Sequence, residues 1–311
     1  MEILSISGII LVIVEIGGII FMKRILLVVT IVTALILSSC TSGAASPKFT
    51  KDNYPKVDGS TATIPLSENI AAKLLTLTPE EGKAFIKHNT THNAYVNLLA
   101  GKADIIFVTE PSIGELDLAK KAGIELEVVP VVKEAFVFLL NKKNPVDSIS
   151  VKQIQEIYQG KIKNWKDLGG PDKEILPYQR PENSGSQTIM LNMVMKGINI
   201  MDAPKELKPA EMEGLIEVIA SYDNSDRAIG YSVYYFANSM YNKETIKFVK
   251  VDGIEPNNET IKSEKYPYTS AYYAVMKKTE AKDSNARKLL AWILSVEGQK
   301  LAEQSGYVPV R

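Results

Sequence analysis

Arg180, Ser184, Gly185 and Ser186 fall close together in the stretch Tyr178-Gln179-Arg180-Pro181-Glu182-Asn183-Ser184-Gly185-Ser186-Gln187-Thr188-Ile189-Met190. A guanidinium is a rigid fork of N–H donors, a serine adds a hydroxyl, and a glycine lets the backbone come close to a ligand. Pro181, Asn183 and Gly185 interrupt regular structure, while Ser184 and Ser186 are good N-cap types ahead of the apolar-periodic Met190, Met193 and Val194. The spacing predicts a loop feeding a helix. A helix start carries unpaired N–H groups and about half a positive charge. Together these groups make a seat for a small tetrahedral oxyanion. The same residues also describe a capped surface helix beside a solvated arginine, and the segment alone does not separate the two readings.

Three further stretches carry donors. Ser60, Thr61 and Thr63 follow Gly59 in Val57-Asp58-Gly59-Ser60-Thr61-Ala62-Thr63-Ile64-Pro65-Leu66, with Ser67 as a cap for a helix over 68–75. This is either a second loop-to-helix seat or an ordinary strand-turn-helix junction. Thr90 and Thr91 stand as caps or donors before a helix over 94–100. Thr109 and Glu110 end the apolar run 103–108, and in α/β sheets ligands sit beyond the carboxyl ends of strands. Glu110 equally suits the first turn of the helix that follows Pro111. His88 and His92 are the only histidines and enclose no Glu, so no metal site and no cofactor is expected.

These groups need elements to hold them. Strands are predicted over 124–132, 135–140, 175–178, 246–251 and 271–276, with another starting at Ala228. Helices are predicted over 79–87, 151–158 with Ser150 as cap, 211–220, 281–294 and 296–304. Trp165 reads as buried. Strand and helix alternate, which predicts an α/β fold with a largely parallel sheet. No P-loop, Rossmann glycine fingerprint, Gly-x-Ser-x-Gly, catalytic cysteine or histidine triad is present, so an enzyme such as a phosphatase is not expected. A formal net charge of zero argues against a nucleic-acid partner.

The N-terminal region reads differently. Lys23-Arg24, an apolar run over 25–37 and Leu37-Ser38-Ser39-Cys40 form a secretory leader. Its end resembles the lipobox of bacterial lipoproteins, in which the cysteine is lipidated. Cys40 is the sole cysteine, so a disulfide framework is excluded. Residues 1–21 form a second apolar run ahead of Met22. The expectation is a mis-assigned start extension over 1–21, a leader over 22–39, and a flexible tether over 40–50 after lipidated Cys40.

Taken in order, several blocks resemble the phosphate-binding proteins of bacterial ABC phosphate importers. They are Asp58 to Leu66, Gly101-Lys102-Ala103-Asp104, Ile154-Gln155-Glu156-Ile157-Tyr158-Gln159-Gly160-Lys161-Ile162-Lys163-Asn164-Trp165, Arg180-x-x-x-Ser184-Gly185-Ser186, Ala228-Ile229-Gly230-Tyr231, Glu297-Gly298-Gln299 and Gly306-Tyr307-Val308-Pro309. The resemblance implies a two-lobed type II periplasmic-binding-protein fold with the anion in the interlobe cleft, lobe 1 over 51–136 and 242–311 and lobe 2 over 137–241. It implies that Arg180 pairs with the phosphate, that Ser184, Gly185 and Ser186 donate from a helix start, and that Ser60, Thr61, Thr63 and Thr91 donate from the first lobe, with Thr90 a further candidate. Glu110 stands where the family has an aspartate that accepts the proton of bound phosphate, and Ser186 where a threonine is usual. The implied partners are inorganic phosphate, ABC permease subunits and, through Cys40, the extracellular or periplasmic face of the cell membrane, with the chain a monomer. The alternatives are the same fold holding sulfate, molybdate or a phosphonate, and a surface protein for adhesion or signalling.

Overall fold

A computed structural model describes residues 46–221 and 226–310. The start extension, the leader, Cys40 and most of the tether lie outside the described residues. In chain order the strands are β1 (Val57–Gly59), β2 (Ile105–Val108), β3 (Leu126–Asn141), β4 (Ser148–Ile149), β5 (Leu176–Pro177), β6 (Ala228–Val233), β7 (Ile246–Phe248), β8 (Lys250–Val251), β9 (Thr269–Lys277) and β10 (Val308–Pro309). The α-helices are α1 (Ile64–Leu75), α2 (Pro79–Phe85), α3 (Thr91–Leu99), α4 (Ile113–Lys121), α5 (Val151–Tyr158), α6 (Gly185–Ile189), α7 (Met212–Ala220), α8 (Asn258–Lys262), α9 (Asn285–Ile293) and α10 (Val296–Gln304).

The two strands expected over 124–132 and 135–140 are one, the 16-residue β3. Its first part, as far as Ala135, pairs with β9, and from Phe136 onward it pairs with β6 and β7. A β-bulge between Pro130 and Val132 shifts the register of the β3–β9 pairing, as an imino acid without an N–H would demand. One continuous eight-stranded sheet thus spans the two-lobed fold. β1, β2, β9 and β10 gather along the first part of β3, and β6, β7 and, beyond β6, β5 along its second part. These sides are the first and second lobes, which puts β7 on the second side although the expected boundaries counted 242–311 with the first.

The expectation of a largely parallel sheet is corrected. Among the described residues only β1–β2, β5–β6 and the separate β4–β8 pair are parallel, while β2–β9, β3–β9, β3–β6, β3–β7 and β3–β10 are antiparallel. Alternation of strand and helix predicts crossover connections, but β9 returns alongside β3 in the opposite direction, and no local pattern encodes strand direction.

Phe136, Phe138, Tyr158 and Tyr231 stack in tilted and edge-on pairs within the second lobe. Trp165 is fully buried and its Nε1–H donates to the Arg227 carbonyl at 2.9 Å, pinning the 160–170 loop to the strand edge. Local signals set most helix starts. Thr78, Ser112, Ser150 and Asn257 form reciprocal capping boxes, and Ser284 and Ser295 cap α9 and α10. Ser67 does not cap: α1 begins three residues earlier, with Pro65 in its first turn, where a missing N–H costs nothing.

Candidate functional site

Three helix starts converge on one cavity of about 310 Å³, near the lower limit of roughly 300 Å³ for small-molecule sites. From the first lobe come the 3-10 turn Thr61–Thr63 and the first turn of α3; from the second comes α6. Ser60 and Thr90 precede the first two, and neither side chain caps a backbone N–H of its helix, although Ser60 Oγ lies 3.2 Å from Thr63 Oγ1 and Asn93 Nδ2 donates to Thr90 Oγ1 at 3.5 Å. At α2, α4, α5, α9 and α10 such residues are spent as caps, whereas at these two starts no side chain takes the amides and they are left for a ligand. Ser184 does cap, accepting from Gln187 N at 3.2 Å.

The first-lobe turn is held from behind. Buried Asp58 accepts from Gly59 N and Asn89 N at 2.7 Å each, from Asn89 Nδ2 at 2.9 Å and from Asn97 Nδ2 at 2.8 Å. These bonds clamp the Ser60 turn to the Thr90–Thr91 loop. His88 Nδ1 lies 2.9 Å from the Ser60 carbonyl, and burial lowers the His88 pKa, favouring a neutral ring that donates there.

The second-lobe side is built around Arg180. Its backbone N–H donates to Tyr231 Oη at 2.9 Å and Gln187 Oε1 at 3.1 Å, and the Tyr231 hydroxyl itself donates to Gln187. Its Nε and Nη2 donate to the Pro209 and Ala210 carbonyls at 3.0 and 2.7 Å. Nη1 is buried without a hydrogen-bond partner among the described residues, and burial lowers the guanidinium's affinity for its proton, an effect that the nearby Tyr231 and Glu211 only partly oppose. Ser186 Oγ and Thr109 Oγ1, which also line the cavity, are likewise buried and unpartnered among the described residues.

The cavity brings together Ser60, Thr61, Thr90, Thr91, Arg180, Ser184, Gly185 and Ser186. Two expected residues are elsewhere. Thr63 is fully buried and its hydroxyl reaches the Phe107 carbonyl at 2.7 Å, so it stiffens the Ser60 turn and does not line the cavity. Glu110 is exposed, accepts from the Tyr273 hydroxyl at 2.9 Å, and lines a second cavity with Thr188 and Asn192. At the end of β2 successive side chains point to opposite faces, so when Thr109 faces the first cavity Glu110 must face away. The acidic residues that line the first cavity, Glu182 and Glu211, are exposed. Sequence reasoning missed Asp58, Gln187, Tyr231 and Tyr272. Thr109 carried the one available signal, a polar residue at a strand's carboxyl end.

Residues 53–297 match the model of a PBP superfamily domain. Over 296 residues the chain is 26% identical to the phosphate-binding protein PstS of Bacillus subtilis, covering 93% of this chain and 94% of that one. It is 25% identical over 288 residues to the PstS of Staphylococcus saprophyticus, covering 88% and 86%. Among solved structures, the fold is shared with a Clostridium perfringens protein described as a phosphate ABC transporter substrate-binding protein and solved with bound phosphate, at TM-score 0.62 and 24% identity, covering 83% of this chain and 100% of that one. It is also shared with an ABC-type phosphate transport receptor of Vibrio cholerae, at TM-score 0.59 and 18% identity, covering 81% and 98%.

Proposed function

The chain belongs to the PBP superfamily, and on that premise we propose that it is a receptor that captures inorganic phosphate between its lobes and passes it to the permease of an ABC importer. The observation that carries this reading is the set of buried, unpartnered polar atoms around one cavity, Arg180 Nη1, Ser186 Oγ and Thr109 Oγ1. An unmade buried hydrogen bond costs about 1–3 kcal/mol, and more at a charged group. A tetrahedral oxyanion among them satisfies all of them at once. That the Bacillus subtilis and Staphylococcus saprophyticus relatives are phosphate-binding proteins supports phosphate as that anion.

Binding needs no covalent step. Arg180 neutralises charge, the amides at the starts of α3 and α6 and at the Thr61 turn donate along their helix axes, and Ser60, Thr61, Thr91 and Ser186 supply hydroxyls. Donors from both lobes engage one ion, so the ion favours the closed arrangement by its differential contacts. The closed pair of lobes presents a single surface to a permease. Acylation at Cys40 would hold the receptor to the outer face of the membrane, with more than one chain needed for stable anchoring.

A second reading keeps the site and changes the anion to sulfate, molybdate or a phosphonate. It is favoured by the position of Glu110, because the expected proton acceptor lies outside the cavity. Calorimetry with phosphate and sulfate in turn tests both. Tight phosphate binding that Arg180→Ala abolishes supports the proposal; equal affinity for sulfate replaces it with the second reading.

A further inference from the structure

A site made only of donors holds sulfate and hydrogen phosphate alike, since both present lone pairs. Separating them needs an acceptor that meets the proton only one of them carries. Glu110 is outside the cavity, and among the described residues two other carboxylates line it, Glu182 and Glu211. They are held differently. Glu182 belongs to the exposed loop 181–183, and among the described residues no hydrogen bond joins its peptide to the Arg180 guanidinium. Glu211 is fastened to that group. Arg180 Nε donates to the Pro209 carbonyl at 3.0 Å and Nη2 to the Ala210 carbonyl at 2.7 Å, and the second carbonyl belongs to the peptide that joins Ala210 to Glu211. Ala210, Glu211 and Met212 all line the cavity beside Arg180. The segment is also fixed on its far side, where the Ser232 hydroxyl donates to Met212 Sδ at 3.2 Å and Leu215 N to the Glu211 carbonyl at 3.3 Å.

We propose that Glu211 is the group by which this site distinguishes a protonated tetrahedral anion from an unprotonated one, an inference that rests on the phosphate reading above. An ionised carboxylate accepts and cannot donate. With the anion on Arg180 Nη1, Ser186 Oγ and Thr109 Oγ1, the P–OH of hydrogen phosphate turns to Glu211 and donates into it, a charge-assisted hydrogen bond. Sulfate brings lone pairs alone and meets a negative charge with no proton between them. No covalent bond forms or breaks, and the proton stays on the phosphate oxygen.

The local structure leaves this carboxylate uncommitted. Glu211 is the N-cap residue of α7, with extended backbone at φ −109 and ψ 153, yet its side chain bonds no amide of that helix. At α2, α4, α5, α6, α8, α9 and α10 the residue in this place does cap. Among the described residues no hydrogen bond or salt bridge holds the Glu211 carboxylate. Being exposed, it keeps water as its partner in the empty receptor, so it needs no donor from the protein and takes the one the ligand brings. α7 lies on β6, with Leu215 and Ile219 against Gly230, so Glu211 comes from the same lobe as Arg180 and Ser186. The choice between ions is therefore made on the second lobe, before the first closes over it.

The test is calorimetry on the full chain at pH 8, where hydrogen phosphate and sulfate carry the same charge and differ in the proton. Sodium phosphate and sodium sulfate are the probes, and the proteins are the native chain, Glu211→Gln and Glu182→Gln. Glu211→Gln is expected to lower the phosphate-to-sulfate affinity ratio at least tenfold, because the carboxamide N–H donates to sulfate while phosphate exchanges a charge-assisted bond for a neutral one. Glu182→Gln removes the same charge from the rim and is expected to raise both affinities together, leaving the ratio native. Thermal melts establish which variants fold; if Glu211→Gln does not, Glu211→Ser, which keeps a good N-cap type, takes its place with the same expected fall. A native ratio in a folded Glu211 variant overturns the assignment, and so does an equal fall in Glu182→Gln. Native protein that binds no phosphate overturns the anion reading itself, a separate result.

Discussion

Gly185, at the start of α6 in the second lobe, lies directly against Thr91 at the start of α3 in the first. A Cβ built on this glycine would stand 2.7 Å from Thr91 Oγ1 and 2.8 Å from Thr109 Oγ1. Two helix N-termini approach this closely only because one of them has no side chain. Their aligned dipoles repel one another unless an anion lies between them.

Gly185→Ala is therefore expected to hold the lobes apart while each lobe folds normally. Phosphate affinity should fall at least tenfold, because donors from the two sides no longer reach one ion together. Calorimetry reads the affinity and a thermal melt reads the fold. An alanine variant with native affinity would show that the two helix starts separate freely in the bound state.

Arg180→Lys preserves charge and is still expected to weaken binding about tenfold to a hundredfold, the cost of roughly 1.5–3 kcal/mol for hydrogen bonds to a charged group. The guanidinium spends Nε and Nη2 on the Pro209 and Ala210 carbonyls and keeps Nη1 for the ligand. A single ammonium cannot hold that geometry. Retention of native affinity in the lysine variant would mean that charge alone matters at this position.

Thr90 has φ 71 and ψ 163, a conformation that suits glycine and strains a β-branched residue. Relieving it with Thr90→Gly should stabilise the folded protein by about 1 kcal/mol, the low end of such strain after allowing for glycine's greater unfolded freedom. Urea unfolding followed by circular dichroism reads this as a higher midpoint. A lower midpoint would show that contacts of the threonine side chain outweigh the strain.

Glu110→Gln should leave the phosphate and sulfate affinities unchanged, because the side chain is exposed and outside the anion cavity. The change in stability should also be within about 0.5 kcal/mol, as is usual at the surface. A narrowed gap between the two ions in this variant would return the acceptor role to Glu110.

Stability should depend on pH through Glu134. Its carboxyl is raised from 4.5 to about 7 by burial, so between those values the folded chain holds a proton that the unfolded chain has lost. The contribution is fully present below pH 4.5 and disappears as the pH rises through 7, a loss on the order of 3 kcal/mol. Urea unfolding at pH 5 and pH 8 should show this decline in the native protein and a smaller one in Glu134→Gln. Identical declines would remove Glu134 as the cause.

The second-lobe half of the site was legible because its parts are neighbours in the chain. Arg180 and the Ser184-Gly185-Ser186 cap are read together from one segment, and capping chemistry is local. The placing of Glu110 was not legible. Glu110 has the right chemistry at a strand end, but one step of side-chain alternation turns it out of the cavity and turns Thr109 in. Thr63 carries the same hydroxyl as Thr61, yet the 3-10 turn directs it to the Phe107 carbonyl.

From residue types and spacing alone came the α/β class, the caps Ser150 and Ser184, the buried Trp165 and the donor-rich loops on both sides of the cleft. Each of these depends on interactions between residues a few positions apart, which a linear string records. Tertiary structure alone decided that β3 runs unbroken from one lobe into the other, that β9 returns antiparallel to it, and that Asp58 ties the Ser60 turn to Asn89 and Asn97. Those facts depend on pairings between distant segments, whose register and direction are settled by packing of the whole core rather than by any short stretch of chain.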